Sequence, residues 1–328
     1  MVAASRPAAA GLEIGPQVAS PSAPRGPLRR ESHVLGAAAV LASRHRDQLA
    51  WTPFLADPID PAREVRRELA EGSGAAALDG DVVRGYLIGA RREDAIGPYL
   101  WSYVAGHAVD EPALVQELYA VAARRWVDEG LRRHFVFVPA TSAQVEPWTR
   151  LSFGVSAALA AQWLDPGNEA ATPGSIRRAT AEDTQELAAL DRVLDEQLAE
   201  SPSFSGLPIP ELAAAEEEWA GFESDRRFSC WVAEADSGLV GYALLFRRPR
   251  DSLRIPRLSI DLATVVTSPQ HRNAGIGSAL TRTALSWAGT LGYRVVTTDW
   301  RMSNLTAARF WPARGFNEVF LRLYRSIP

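Results

Sequence analysis

The 328-residue chain carries the same landmarks twice. Gly85-Tyr86 in VVRGYLIGAR returns as Gly241-Tyr242 in GLVGYALLF, 156 residues later. Trp126 and Gly130 in RWVDEGLRRHFVFV match Trp287 and Gly292 in SWAGTLGYRVVTT, at spacings of 161 and 162. WTRLSF from Trp148 to Phe153 parallels WPARGF from Trp311 to Phe316, at a spacing of 163. The spacing drifts in one direction, as small loop insertions would make it drift, so the chain reads as one fold present twice. Its length suits two domains of ordinary size. With 47% hydrophobic and 23% charged residues it has apolar side chains enough for two cores.

Two segments interrupt this pattern. Residues 1–31 hold Pro7, Pro16, Pro21, Pro24 and Pro27 among alanines and arginines and present no periodic apolar face, which reads as a flexible tail. The stretch DPGNEAATPGS from Asp165 to Ser175 combines two Pro-Gly dipeptides with Asn and Thr, which reads as a linker over 166–174. The expected domains are therefore 32–165 and 175–328.

Composition excludes several partners. All 35 basic residues are arginine, and against 39 acids they leave a net charge of -4, which argues against nucleic-acid binding. The single Cys230 rules out an internal disulfide and a multi-thiolate metal site. His33, His45, His107, His134 and His271 show no ligand spacing, so no metal is expected. No apolar run reaches the length of a membrane span, and the N-terminus lacks the pattern of a signal peptide. The expectation is a soluble cytoplasmic protein, monomer or homodimer, with no membrane partner.

The second half predicts a strand at SIRRAT and a helix from Ala181, whose AED start suits a helix N-terminus. A helix near Glu211 to Phe222 follows, then strands at SCWVAEA, LVGYALLF and SIDLATVV. A helix from about Ile276 to Leu291, a strand at RVVTTDW, a helix from Asn304 to Arg314 and a last strand at VFLRLYR complete the half. This is an α/β (α+β) sheet of mixed direction. Cys230 is expected to be a small core residue.

The stretch VVTSPQHRNAGIGSALTRTALSWA carries the chemistry. A strand runs into Pro269, and the following loop sets Arg272, Gly275 and Gly277 at the mouth of an amphipathic helix. Glycines let backbone approach a ligand, the helix N-terminus presents free N-H groups, and Arg272 adds charge, a combination suited to a pyrophosphate. The spacing is neither the dinucleotide fingerprint nor a P-loop, which needs a lysine.

This string resembles the acyl-CoA pyrophosphate loop of the GCN5-related N-acetyltransferase (GNAT) superfamily, an apolar strand, Pro, then Q/R-x-x-G-x-G/A and a helix. IRRATAED and NLTAARFWPARGF resemble the family's opening strand and closing helix, so the likeness covers about residues 175–326. The resemblance implies two GNAT-like domains, each a mixed, mostly antiparallel sheet with a central V-shaped split flanked by helices. It also implies acetyl-CoA as co-substrate, lying in the split between the strand before Pro269 and the strand near Thr297. Val265, Val266 and Thr267 would hold the pantetheine, and Arg272, Asn273, Ala274, Gly275, Ile276, Gly277 and Ser278 the phosphates. Asn304, Ala307 and Phe310 would complete the cofactor site, a plain N-cap being the rival role for Asn304. A backbone N-H at the splayed strand would serve as oxyanion donor, worth about 3 kcal/mol.

An amine of pKa about 10.4 must lose a proton before it attacks, at about 4.6 kcal/mol at pH 7. Asp261, eleven residues before Arg272, stands where the family's histone-acetylating branch has a glutamate base. Asp299, ending the strand RVVTTDW, is the second candidate. A strand-pairing aspartate and a turn cap are the respective alternatives. The run Glu216, Glu217, Glu218 reads as a solvated helix face, and His271 as an exposed packing residue. Many relatives carry a tyrosine after Phe310 that protonates the departing thiolate; this chain has Trp311, which cannot.

At the corresponding place the first half reads GHAVDEPALVQELY, with no R-x-x-G-x-G and with Asp110 and Glu111 where phosphates would lie. At about 4 Å such repulsion is of order 1 to 4 kcal/mol per pair. This half is expected to be a degenerate copy. The whole reads as an N-acyltransferase moving acetyl from acetyl-CoA to a primary amine by direct attack. The amine is expected to be a small molecule such as an antibiotic, amino sugar or amino-acid metabolite. The alternatives are an inactive acyl-CoA-binding scaffold or sensor, and a mycothiol-synthase-like or protein N-terminal acetyltransferase.

Overall fold

The computed structural model describes residues 25–26, 31–164, 175–249 and 253–328. The expected linker lies outside the described residues. So does most of the expected tail, except Arg25–Gly26, which pair as a strand with Ala77 and Ala76.

The first half runs β1 (Arg25–Gly26), α1 (Glu31–Trp51), α2 (Pro61–Glu71), β2 (Gly72–Asp79) and β3 (Val82–Asp94). It continues with β4 (Gly97–Ser102), β5 (His107–Val109), α3 (Leu114–Asp128), β6 (Arg133–Pro139), α4 (Ser142–Thr149) and β7 (Gly154–Trp163). The second half runs β8 (Ile176–Arg178), α5 (Thr184–Ala199), α6 (Leu212–Trp219), β9 (Phe228–Ala235) and β10 (Gly238–Phe246). After these come β11 (Ser259–Thr267), α7 (Ile276–Thr290), β12 (Val295–Arg301), α8 (Leu305–Phe310) and β13 (Asn317–Ser326). The two orders correspond, with β4 and β5 together standing where β11 stands.

The repeated landmarks sit where local geometry restricts the residue. Gly130 and Gly292 end α3 and α7 in the left-handed region, both at φ 82°, a conformation that glycine adopts without steric cost. Behind each, the chain turns back onto the helix: Leu131 N-H donates to the Trp126 carbonyl at 2.9 Å and Tyr293 N-H to the Ala288 carbonyl at 3.3 Å. In this frame Ala288 is the counterpart of Trp126, so the match of Trp126 to Trp287 is one residue out. Ser152 at φ 62° and Gly315 at φ 85° make the second matched pair. The amides of Phe153 and Phe316 then close onto the carbonyls of Trp148 and Trp311.

All thirteen described strands form one sheet, in the order β1-β2-β3-β4-β6-β13-β7-β12-β11-β10-β9-β8, with β5 paired to β3. Among the described strands only β4 with β6 and β11 with β12 are parallel. The halves meet by exchanging their last strands. β7, the last strand of the first half, lies between β12 and β13, while β13 pairs with β6 of the first half. Division at 166–174 separates the chain in sequence order, but three strand pairings cross it, β6 with β13, β13 with β7 and β7 with β12.

Strand alternation sends successive side chains to opposite faces. Tyr86 and Ile88 pack in the cluster under α1, and Leu87 in the cluster with α3. Tyr242 joins α5 and α6, whereas Ala243 and Leu245 join α7. The helices α1, α2, α5 and α6 thus cover one face, and α3 and α7 the other. Cys230 is buried with Val232 and Tyr242 in the α5 cluster, as expected of a core thiol, and burial pushes it up from its ordinary pKa. Glu217 and Glu218 are exposed on α6 and Glu216 is half-buried.

Candidate active site

β11 and β12 pair only from Ser259–Asp261 with Val295–Thr297. Beyond that point β11 runs on to Thr267 against β10 alone and β12 runs on to Arg301 against β7 alone. The two strands therefore part, leaving facing backbone groups at 262–267 and 298–301 without ladder partners. Thr298 Oγ1 donates to the Leu262 carbonyl at 2.9 Å where the split begins. A bulge in the pairing between Leu244 and Leu245, which skips Ala263, bends β11 at the same level.

The split opens into a cavity of about 470 Å³. Its walls are Val193, Leu194 and Gln197 of α5, Val265 to Thr267 of β11, the loop His271 to Asn273 with Gly275 to Ser278, and Asn304, Ala307, Phe310 and Arg314. Every residue expected to bind the cofactor lines it except Ala274, which lies in the same loop. Gly275 caps α7 at φ 81° and Asn273 stands at φ 64°. Among the described residues the amides of Gly275, Ile276, Gly277 and Ser278 donate to no backbone oxygen. Open amides at a helix N-terminus, beside Arg272 and Arg314, form an anion cradle. A Cβ at Gly277 would stand 3.3 Å from Thr267 Oγ1 and 3.6 Å from the Phe310 ring, so glycine keeps this approach open. The donor set fits a coenzyme A pyrophosphate.

Two contributors carried no sequence signal. Gln197 spans the cavity, accepting from Arg272 at 2.9 Å and donating to Asn304 Oδ1 at 3.3 Å. Arg314 lies over the Phe310 ring, donates to the Phe310 carbonyl at 2.9 Å and also to Ser278 Oγ. Burial and the nearby Arg282 lower its pKa. Neither follows a spacing rule, because each reaches the loop from a different element. Asn304 is an N-cap, its Oδ1 accepting from the Ala307 amide at 3.2 Å, and it also lines the cavity. His271 is half-buried, its Nδ1 2.8 Å from Ser268 Oγ. Trp311 is buried between Phe310 and Phe316.

The two aspartates stand on the face opposite α7. Asp261 is buried, and its Oδ2 accepts from Arg248 Nε at 2.9 Å and Nη2 at 2.6 Å, while Oδ1 accepts from Thr297 Oγ1 at 2.6 Å. It is a counter-ion more than a base. Asp299, two residues along β12, pairs across the ladder with Leu159 of β7. Solvent reaches its side chain, yet protein surrounds it on most sides, because it lines a recess deep between the halves. Desolvation, then the charge of Asp261, raise its pKa, and Arg254, Arg322 and Arg248 oppose the shift. A carboxylate that is wet, enclosed and raised suits proton abstraction.

The first half lacks this cradle. After β5 the Leu114 amide donates to Glu111 and the Val115 amide to Pro112, and Pro112 itself has no N-H. Asp110 and Glu111 hold Arg84, which donates to both. A cavity of about 740 Å³ remains at this place, between α1, β5 and α4.

No described helix is long and apolar enough to cross a membrane, and no described cluster of side chains could hold a metal. The sequence profile of the acetyltransferase (GNAT) family matches residues 191–316. Human N-acetyltransferase 8 is 30% identical over 96 residues, 29% of this chain and 41% of that protein. Rat N-acetyltransferase 8B is 33% identical over 98 residues, 29% of this chain and 42% of that protein. The chain thus matches about two fifths of the length of these relatives. Two solved structures share the fold along nearly the whole chain. One is a GCN5-related N-acetyltransferase from Sphaerobacter thermophilus, with TM-score 0.58, 16% identity and coverage of 92% and 95%. The other is a tandem GNAT protein from the clavulanic acid biosynthesis pathway, with TM-score 0.51, 15% identity and coverage of 92% and 98%. The strand split and the amide cradle both lie within residues 191–316, the stretch that matches the acetyltransferase (GNAT) family profile.

Proposed function

We propose that the chain transfers the acetyl group of acetyl-CoA to a primary amine of a small molecule, by direct attack within a ternary complex. The observation that carries this reading is the parting of β11 from β12 above the open amides of residues 275–278. Acetyl-CoA, when bound, supplies the activated thioester. The α7 amides and Arg272 hold its phosphates, and the unpaired edge of Leu262 to Thr267 offers backbone partners to its pantetheine arm. A free N-H on that edge stabilises the negative charge that develops on the acetyl oxygen. Asp299 accepts the proton lost by the amine as the N-C bond forms and the C-S bond breaks. Ser268, the serine hydrogen-bonded to His271, does not itself line the cavity, which favours direct attack. In this reading the first half holds no second CoA, because Pro112, Asp110 and Glu111 replace the cradle.

The test is release of CoA from acetyl-CoA against a panel of primary amines, with Arg272→Ala as control. Amine-dependent release that weakens in the control supports transfer. Tight acetyl-CoA binding without turnover of any amine would establish the scaffold or sensor instead, a reading favoured by the lack of a proton-donating hydroxyl at Trp311.

A further inference from the structure

The cofactor cavity carries more positive charge than a pyrophosphate needs. The open amides of residues 275–278 and Arg272 already suit that group. Arg314 is a further cation in the same wall, reaching it from the turn behind α8. The two arginines enter from different elements. Arg272 leans toward α5, its Nη2 donating to Gln197 Oε1 at 2.9 Å. Arg314 is fixed between α8 and α7: Nη1 donates to the Phe310 carbonyl at 2.9 Å and Nη2 to Ser278 Oγ, with the guanidinium carbon 3.3 Å from the centre of the Phe310 ring.

Arg282 stands exposed one turn along α7 from Ser278, and its charge acts on Arg314. The two cations thus share one end of the cradle. Elsewhere in the second half Arg177, Arg227 and Arg248 each hold a carboxylate, whereas among the described residues none answers Arg314. Like charges held together and partly withdrawn from water cost free energy unless an anion meets them. A guanidinium whose plane is fixed in advance suits a phosphate, which accepts from more than one of its N-H groups. Coenzyme A has such a group besides its pyrophosphate: the 3′-phosphate of its ribose is a phosphate monoester, close to dianionic near pH 7.

We infer that Arg314, with Arg282 beside it, receives the 3′-phosphate of the donor, so that the site selects a complete coenzyme A thioester over its dephospho form. This rests on the acetyl-transfer reading and narrows its donor class. Arg272 and the α7 amides serve a group that both forms contain. The rival role for Arg314 is a cap on the end of α8, through its bond to the Phe310 carbonyl. A cap would stabilise the helix without telling the two donors apart.

The experiment is calorimetric binding of CoA and of dephospho-CoA to the full chain. CoA should bind about 10- to 100-fold tighter, as one charge-assisted contact predicts. Arg314→Gln should bring the two affinities to within about threefold of each other by weakening CoA alone. Arg314→Lys should keep part of the preference, and Arg282→Gln, at an exposed position, should lower it by about threefold. Arg272→Ala should weaken both ligands alike and leave their ratio unchanged. Equal binding of the two forms by the parent, or a preference that survives Arg314→Gln intact, overturns the inference and leaves acetyl transfer standing. If Arg314→Gln does not fold, Arg314→Lys and Arg282→Gln decide: a lowered ratio in both supports the inference, and an unchanged ratio in both overturns it. Failure of the parent to bind either ligand overturns the acetyl-transfer reading itself, and this inference with it.

Discussion

Asp261 and Arg248 form a two-pronged ion pair, with Nε and Nη2 both donating to one carboxylate oxygen while Thr297 occupies the other. This pair ties β11 to the chain beyond β10, whereas among the described residues no such ion pair clamps Asp299. The two aspartates should separate on substitution. Asp261→Asn leaves Arg248 with a weakened partner and should destabilise the fold by about 2 kcal/mol, a value below the usual range for buried pairs because Arg248 is partly wet. Asp299→Asn should unfold no more easily than the parent and should lower kcat by about 100-fold or more. Urea unfolding and steady-state kinetics on both variants check this, and a reversal of the two phenotypes would assign the base to Asp261.

Asp299 should also leave a mark on pH profiles. Its folded pKa is raised above the ordinary carboxylate value, with burial as the largest cause. The folded state therefore holds this proton more tightly than the unfolded chain, so stability falls as pH rises from the unfolded value through the folded one. Activity runs the other way, because a base must be deprotonated. kcat should climb with pH across the same interval in which this contribution to stability declines. In Asp299→Asn both trends should vanish, and melting temperature near neutral pH should equal or exceed that of the parent.

Gly275 and Gly292 bracket α7, both in the left-handed region, at φ 81° and 82°. A β-branched residue at either position should cost about 1–2 kcal/mol through strain alone. Only Gly275 lines the cofactor cavity. Gly275→Val should therefore weaken acetyl-CoA binding in calorimetry as well as stability, while Gly292→Val loses stability with its acetyl-CoA affinity intact. Equal affinity losses in both variants would mean that the cradle tolerates distortion.

The second half was legible in the sequence because its functional loop is local. Pro269, Arg272, Gly275 and Gly277 lie within nine residues, and each has a backbone reason to be where it is. The repeat was legible for the same reason, since Gly130, Gly292 and Gly315 mark left-handed helix ends and Ser152 copies that turn. The exchange of β7 and β13 was not legible. Both strands are apolar enough to fit either half, and nothing local states whether Leu159 faces Asp299 or a first-half partner. Gln197 and Arg314 escaped notice because their roles depend on contacts across 75 and 36 residues.

Trp311 occupies the place of the tyrosine that many relatives use as an acid, but it is only 6% exposed and packs edge-on to Phe310 and Phe316 at centroid distances of 4.8 and 5.1 Å. Trp311→Tyr should lose stability through the smaller ring, by about 1–3 kcal/mol, with kcat within about threefold of the parent, since a thiol of pKa near 8.5 departs without a proton. A tenfold gain in kcat would show instead that thiolate protonation limits the reaction.

The strand exchange predicts how the halves behave apart. A fragment spanning residues 175–328 keeps the cofactor loop but loses β7, which covers the edge of β12 with seven paired residues and separates β12 from β13. An uncovered edge of that length invites pairing with another chain. β13 of a second fragment can take the place of β7, because β13 also has apolar residues on both faces, at Phe320 and Leu323. The fragment should run as a dimer or aggregate in size-exclusion chromatography with light scattering. Adding a first-half fragment of residues 31–164 should shift it toward a one-to-one complex that binds acetyl-CoA. A stable, folded monomer of residues 175–328 would mean that β7 is dispensable to the sheet.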